Sequence, residues 1–210
     1  MKRLIVVIAA LSVFVAAPPA AAGRNAIPAT SNAYGASLLT WQERWVQWAF
    51  GSSTNPLIGG ICGEKVGRLF FLNAAIAPGT EVDCDIPKGT PLLATPGGTV
   101  VWDPTATREE LLAARDDALA GNSDPRATLD GHSLRVDDAL RVSDVYTVAL
   151  EPGNFIQTVD SGVSGDAIQV ASGGWFLRIQ PLQPGRHELV LSDVIAGTVF
   201  DITFHITVRH

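Results

Sequence analysis

Four polar side chains in the C-terminal third are of the types that catalysis and metal binding use. They are Arg178, His187, Asp201 and His205. A histidine can move a proton or bind a metal near neutral pH, and carboxylate and guanidinium groups can stabilise charge. Asp201 and His205 are four residues apart, about 13 Å along a strand, so they cannot hold one small ion together. A hydrolase or a metal-dependent enzyme on this polar sheet face would also need acids from neighbouring strands.

The interpretation of the two histidines depends on strand register. His187 shares its side of a predicted strand with Leu189 and Leu191, which favours a buried, hydrogen-bonded, structural histidine. A register shifted by one residue would instead place it beside His205 on the polar face. His205 is either a solvated side chain or a ligand. A pocket in which both rings converge would favour a shared site.

The sequence contains no local motif with a known mechanism. Ser164 does not lie in a G-x-S-x-G motif, and no strand-turn-helix pattern surrounds it. There is no P-loop, no dinucleotide-binding fingerprint and no H-E-x-x-H. Asp83 and Asp85 are candidates for a calcium site with partners elsewhere, but a solvated edge is the simpler interpretation, since calcium takes six or more oxygens. We therefore predict neither a cofactor nor a metal.

The first 22 residues have the order of a secretory signal peptide. Lys2 and Arg3 precede an apolar stretch from Leu4 to Val15, and a run of small residues ends at Ala22. The apolar stretch is shorter than the roughly 20 residues of a spanning helix, although an uncleaved anchor is the alternative. Cleavage after Ala22 predicts a secreted protein, extracellular or periplasmic, with no membrane partner.

Charge and length restrict the partners and the number of domains. The chain has 15 basic and 21 acidic residues, and loss of Lys2 and Arg3 with the leader changes its net charge from −6 to −8. An acidic chain repels phosphate backbones, so nucleic acid is not an expected partner. The remaining length fits one domain with a hydrophobic core, and the oligomeric state is not indicated.

Cys62 and Cys84 are the only two cysteines of the chain. In an oxidising compartment, two cysteines without a third indicate one disulfide. Metal binding is the alternative, but the spacing has no CxxC and no nearby histidine. We therefore predict a Cys62–Cys84 bridge.

A tryptophan-rich helix follows a leader at residues 23–36 that we predict to be flexible. Trp41, Trp45 and Trp48 recur at i, i+4 and i+7, so their indoles share one face. Thr40 and Glu43 have the spacing of a capping box, and Gly51 occupies the expected position of a glycine cap. The indole face either packs on a sheet or forms an exposed aromatic platform for sugars, and packing is favoured because large exposed apolar patches are unusual.

The rest of the sequence predicts mainly strands. Residues 107–121 predict a second short helix, Pro96-Gly97-Gly98 and Asp130-Gly131 predict hairpin turns, and residues 151–165 predict a long loop. Residues 200–209 alternate strictly between apolar and polar types, which is typical of a strand with one buried face. We therefore predict a mainly β, single-domain β-sandwich or jelly roll over residues 37–210, with an N-terminal tryptophan helix and one inserted helix.

Five stretches of the chain together carry a family resemblance. They are the tryptophan helix leading to Asn55-Pro56, Cys62 with Arg68–Leu72, the C-x-I-P-x-G of Cys84–Gly89, Gly174–Leu177 with the P-L-x-P-G-x-H of Pro181–His187, and the F-H-I-T-V of the last strand. With these motifs the chain resembles widespread bacterial secreted proteins of unassigned function. Members often have further cysteines before the second helix, which this chain lacks. The resemblance implies a secreted β-rich domain and supplies no activity.

Two hypotheses for function follow. The first is a secreted, non-catalytic β-sandwich protein that binds an extracellular ligand, a glycan or a cell-surface component, through loops such as residues 151–165. The second is a secreted hydrolase or metal-dependent enzyme whose site uses Arg178, Asp201 and His205 on the polar sheet face, with His187 as a further candidate.

Overall fold

The computed structural model describes residues 25–74 and 77–209, and it is a mainly β sandwich with a helix at its N-terminal end. Eleven strands form two sheets within these residues. The predicted fold class is therefore confirmed. The predicted signal peptide, residues 1–22, lies outside the described residues. None of the described helices is long and apolar enough to cross a membrane.

The two sheets have the orders β1-β2-β4-β9-β7, with β8 also pairing β9, and β3-β11-β10-β5-β6. The strands of the first sheet are β1 Gly63–Val66, β2 Leu69–Leu72, β4 Leu92–Trp102, β7 Leu140–Val142, β8 Tyr146–Ala149 and β9 Ala167–Ile179. The strands of the second sheet are β3 Thr80–Pro87, β5 Asn122–Leu129, β6 His132–Ser133, β10 Gly185–Ile195 and β11 Thr198–Arg209. The helices are α1 Leu38–Val46, α2 Pro56–Gly59, α3 Arg108–Ala120 and α4 Phe155–Val159.

The central part of the first sheet, around β9, is buried on both faces. Leu177 and Ile179 of β9 face the second sheet and join the core between the sheets. Phe176, which alternates with them, joins a second core beneath α1. The molecule therefore has three layers, α1 with its neighbours, the first sheet and the second sheet. Because β9 lies in the middle layer, side chains on both of its faces are buried.

Helix α1 begins earlier than its sequence pattern predicts. Ser37 is the N-cap, and its hydroxyl accepts a hydrogen bond from the Thr40 backbone N–H at 3.1 Å. The predicted capping box of Thr40 and Glu43 is therefore wrong, because Thr40 already lies inside the first turn. A serine cap satisfies one of the free N–H groups at the helix start equally well.

A π-helical turn, Gln47–Gly51, continues α1 and fixes its end against β8. The Gln47 amide donates to the Ala149 carbonyl and accepts from the Ala149 N–H, both at 2.9 Å. A side chain at Gly51 would overlap the Ala149 carbonyl. Gly51 is therefore required for this close approach, and not for the left-handed cap predicted from the sequence.

The predicted hairpin at Pro96-Gly97-Gly98 is wrong. Strand β4 runs through these residues and pairs with β9 on both sides of them, with a register shift between Ala94 and Gly97. Proline and glycine therefore mark a bulge in a continuous strand, a position where both residue types are tolerated.

Other local predictions have mixed outcomes. The second helix predicted over residues 107–121 is confirmed as α3, with Gly121 at its C-terminal end, and the structure adds a capping box of Thr107 and Glu110 at its start. Asp130 and Gly131 both have positive φ and join β5 to β6, which confirms that hairpin turn. Residues 151–165 are not entirely a loop, because Asn154 caps the short helix α4.

The Cys62–Cys84 disulfide is confirmed, with the two α-carbons 5.4 Å apart. Cys62 directly precedes β1 of the first sheet, and Cys84 lies in β3 of the second sheet with its side chain buried. The bridge therefore links the two sheets of the sandwich.

Candidate functional site

Arg178 does not lie on a polar sheet face. It is 1% exposed and points from β9 into the layer of α1, away from the second sheet. Its guanidinium donates to backbone carbonyl oxygens of the N-terminal segment, including those of Pro28 and Ser31 at 2.8 Å. Burial lowers the pKa of this guanidinium, and a second contribution comes from Arg141. The role of Arg178 is therefore to position the N-terminal segment.

The segment that we predicted to be a flexible leader contacts the domain over residues 25–36. Ala26 forms a β-bridge with Ile179, and the Ile27 N–H donates to the Arg178 carbonyl at 2.8 Å. Ile179 already pairs with Leu92 of β4, so the segment lies along the other edge of β9. Both the side chain and the backbone of Arg178 therefore form hydrogen bonds with the N-terminal segment.

His187 and His205 lie on opposite faces of the second sheet. His187 pairs with Ile206 and shares the core side with Leu189, whereas His205 pairs with Glu188 on the outer side. The His187 ring lies 2.8 Å from the Asp130 carboxylate through Nδ1 and 2.8 Å from the Gln183 carbonyl through Nε2. These two contacts fix the ring at the end of the core. The structure thus gives His187 the structural role that its leucine neighbours favour.

Asp201 and His205 share the outer face of β11 but do not meet. The Asp201 carboxylate accepts from the Gly79 N–H at 3.1 Å, and the His205 Nε2 lies 3.5 Å from a Glu81 carboxylate oxygen. The His205 side chain is 45% exposed on an open sheet surface. Of the four candidate residues, only these two share a face, and the whole sandwich separates them from the Arg178 guanidinium.

The tryptophan face of α1 is packed and does not form a platform. Trp41, Trp45 and Trp48 are between 2% and 6% exposed. Each indole N–H has an acceptor, for example the Leu72 carbonyl at 2.8 Å from Trp45. The edge-to-face contact between Trp45 and Phe176, with ring centroids 5.6 Å apart, fixes α1 on the first sheet. The sugar-stacking alternative for this helix is therefore wrong.

A cavity of about 160 Å³ lies beneath α1 where the three layers meet. We call it the α1 cavity. Its ring-bearing walls are Trp45, Phe50, Phe155, Phe176 and Phe200, and its polar lining includes Gln42, Thr95, Ser172 and Asp193. Side chains from α1 and from β10 line the same space because the first sheet presents glycines between them at 97, 98 and 173.

Asp193 is the buried acid of the α1 cavity. It occupies the core side of β10, in phase with Leu189 and Leu191, and it is 1% exposed. Its Oδ1 accepts from the Val194 N–H at 2.9 Å, whereas its Oδ2 has no hydrogen-bond partner among the described residues. Burial is the main cause that raises the Asp193 pKa to about 6, and the nearby Asp124 charge adds to this increase.

The neutral amide beside Asp193 leaves the acid without a counter-charge. Hydrogen bonding from the Asn122 side chain and from the Ser123 backbone lowers the Asp193 pKa in part, although the geometry leaves the Asn122 Nδ2 without a well-formed hydrogen bond within the described ranges. No lysine or arginine is among the residues that line the cavity in the described part of the chain. Asp193 is thus a buried carboxyl group in a cavity that rings and neutral polar groups line, with no basic side chain among the described lining residues.

Gln42 is the second buried polar group of the cavity. It is fully buried in α1, and its Nε2 donates to the Ser172 hydroxyl at 3.0 Å. That hydroxyl also contacts the Tyr146 hydroxyl at 3.0 Å and the Ser143 hydroxyl at 3.2 Å. Burial raises the Tyr146 pKa, so the phenol stays neutral. The Gln42 Oε1 has no hydrogen-bond partner in the part of the chain that the structure describes.

Sequence reasoning missed both polar groups of the cavity. Asp193 was detectable, because an acid in phase with Leu189 and Leu191 occupies a position where the pattern predicts a core residue. Gln42 follows Trp41 in the helix, and nothing in its local sequence pattern indicates burial. Gln42 and Asp193 line the same cavity only because elements distant in sequence pack together.

Comparisons with known proteins do not assign the chain to a family. No family model matches it, and no curated protein matches it. A solved solution structure of Amebosin is 14% identical, covers 62% of this chain and 100% of its own, and superposes with a TM-score of 0.19. That likeness is too low to support an argument about the fold. The resemblance to bacterial secreted proteins stays a prediction.

Proposed function

We propose that this protein is exported and acts as a non-catalytic binding protein whose site is the α1 cavity. The observation that carries the proposal is the pairing of an apolar cavity with two buried acceptor oxygens, Gln42 Oε1 and Asp193 Oδ2, that have no partner within the described residues. A buried polar atom without a hydrogen bond costs about 1–3 kcal/mol. A ligand that donates to these oxygens would recover part of that cost.

The size of the cavity favours a small ligand. Its volume of about 160 Å³ is close to that of an apolar cavity that accepts benzene, roughly 150 Å³. Drug-sized ligands take pockets of about 300 Å³ or more, so an oligosaccharide does not fit inside. A glycan or cell-surface ligand for the outer loops stays a prediction that a glycan array tests.

The catalytic alternative receives less support. A site that used Arg178, Asp201, His187 and His205 would need these groups within hydrogen-bond reach in one pocket. The Arg178 guanidinium donates its hydrogen bonds to the N-terminal segment, and the two histidines lie on opposite faces of the second sheet. These four side chains therefore do not meet in one pocket, as the catalytic hypothesis requires.

Small aromatic probes test the binding site. We expect benzyl alcohol or benzylammonium to raise the Tm of the wild-type protein in thermal unfolding. Val100→Phe should abolish the increase, because Val100 lines the cavity. Val190→Phe is the matched control, since Val190 lies on the outer face of β10 and is half-buried. An unchanged Tm with both probes, or an equal increase in V100F, would overturn the proposal.

Mass spectrometry of the native protein tests the export. We expect a mature chain that begins after Ala22 and has both cysteines oxidised. Recovery of the intact leader, or of two free thiols in the protein isolated under non-reducing conditions, would contradict export.

A further inference from the structure

The geometry of the α1 cavity points to a small organic cation, a primary ammonium group on an apolar body about the size of benzene, as its ligand. This inference rests on the proposed function, because it specifies the ligand class of the same cavity. Its basis is that Asp193 and Gln42 both line the cavity, and that their acceptor oxygens Asp193 Oδ2 and Gln42 Oε1 have no hydrogen-bond partner among the described residues.

The first step of the argument is hydrogen-bond chemistry. Asp193 Oδ2 and Gln42 Oε1 require donors, and an ammonium group has three N–H donors and no acceptor. A carboxylate or phosphate ligand would place like charge beside Asp193, in a space lined by no basic side chain of the described residues. The cavity is therefore selective against anions.

The second step is charge. With a pKa raised to about 6, Asp193 is mostly ionised at pH 7 and above. Its charged neighbour is another acid, Asp124, whose carboxylate pairs with the exposed Arg126, and the amide beside it, Asn122, is neutral. A buried charge without an opposite charge is costly, and a cationic ligand supplies that opposite charge. An uncharged ligand of the same shape supplies only a hydrogen bond.

The third step is the wall of rings. Trp45, Phe50, Phe155 and Phe176 line the cavity and pack edge to face, with the Phe50 and Phe155 ring centroids 5.2 Å apart. Aromatic faces attract an organic cation and also pack against its apolar body. This combination of rings with one carboxylate matches an arylalkyl or short alkyl ammonium better than a metal ion. The described residues contain no group of three or more potential metal ligands.

A set of three probes of similar shape tests the inference at pH 7.5, namely benzylammonium, benzyl alcohol and benzoate. Calorimetry on the full-length mature protein should show that benzylammonium binds at least tenfold tighter than benzyl alcohol, with no binding of benzoate. Asp193→Asn should reduce this preference to less than threefold. Asp137→Asn, which removes an equal charge from an exposed position, should leave it unchanged.

The outcomes separate the two proposals. Equal affinity for benzylammonium and benzyl alcohol would overturn the cation inference and leave the binding function in place. Absence of binding by all three probes would overturn both. A preference that persists in D193N would show that Asp193 is not the partner of the charge. A pH series on the wild-type protein is independent of any folding defect in the variant, and the preference should decrease several-fold between pH 7.5 and pH 5 as Asp193 becomes protonated.

Discussion

The carboxyl group of Asp193 lies against the α-carbon of Gly97, in the space that a side chain at position 97 would occupy. These residues belong to different sheets, β10 and β4, and Gly97 directly follows the bulge of β4. The absence of a side chain at 97 therefore allows an acid of the second sheet to reach the α1 cavity.

We expect Gly97→Ala to displace the Asp193 carboxyl group. The added methyl group would overlap that carboxyl group, and overpacking of this kind costs about 1–3 kcal/mol of unfolding free energy. Chemical denaturation measures this change, and calorimetry with benzylammonium should show a loss of affinity. Gly59→Ala is the control, since its nearest neighbouring atom is 3.6 Å away, and its stability should stay within about 0.5 kcal/mol of the wild type. Equal stability of G97A and G59A would contradict the assigned contact.

Loss of the Asp193 proton should make the folded state less stable as the pH rises. Burial raises its folded-state pKa to about 6 from an ordinary value of 3.8, so between these values the folded protein holds a proton that the unfolded chain has lost. The stabilisation is complete below pH 3.8 and is lost as the pH rises through about 6. The difference corresponds to at most about 3 kcal/mol.

The comparison of Asp193→Asn with the wild type isolates this contribution. Both proteins share the surface carboxyl groups whose pKa values hydrogen bonds lower, such as Asp103 and Asp144, so these cancel in the difference. We expect the free energy of unfolding of the wild type, relative to D193N, to decrease from pH 4 to pH 6.5 in urea denaturation. The unfolding free energy of Asp137→Asn should have the same pH dependence as that of the wild type. A wild-type curve parallel to that of D193N would show that Asp193 is not buried as described.

Arg178 should control the stability of the N-terminal segment. Arg178→Met removes the donors to the Pro28 and Ser31 carbonyl oxygens and leaves these acceptors under the methionine side chain. We expect a loss of about 2–4 kcal/mol in unfolding free energy and faster amide hydrogen exchange over residues 25–36. Arg186→Met, at an exposed position of β10, is the control and should change neither. Exchange that accelerates uniformly over the domain would argue against a local positioning role.

The sequence predicts those elements whose determinants are local. The alternation of residues 200–209 predicts β11 correctly, because one face of that strand packs on the core and the other faces outward. The residue pattern of 107–121 likewise predicts α3, and the local hydrogen bonds between Thr107 and Glu110 explain why it begins there. The disulfide follows from the presence of two cysteines and an expected oxidising compartment, and it needs no knowledge of the fold.

The errors arise where distant contacts override local signals. Pro96-Gly97-Gly98 has the composition of a turn, but pairing with β9 on both sides keeps the chain extended. Arg178 alternates with apolar residues as an outward-facing residue would, yet a second layer covers that face. The α1 cavity was not predictable for the same reason, because Gln42 and Asp193 are 151 positions apart in sequence and share a site only through the packing of three layers.

Gln42 gives a test that separates binding from folding. Gln42→Met keeps a similar length and shape and removes both the unpartnered Oε1 and the donor to Ser172, whose hydroxyl keeps its contacts with Tyr146 and Ser143. Replacement of a buried polar side chain by an apolar one of similar shape can be nearly neutral, so we expect the unfolding free energy to change by less than about 1 kcal/mol. The affinity for benzylammonium should decrease about tenfold, because the cavity loses one of its two unpartnered acceptor oxygens. Denaturation and calorimetry on the same preparation measure the two effects. A large loss of stability with unchanged affinity would mean that Gln42 supports the fold and takes no part in binding.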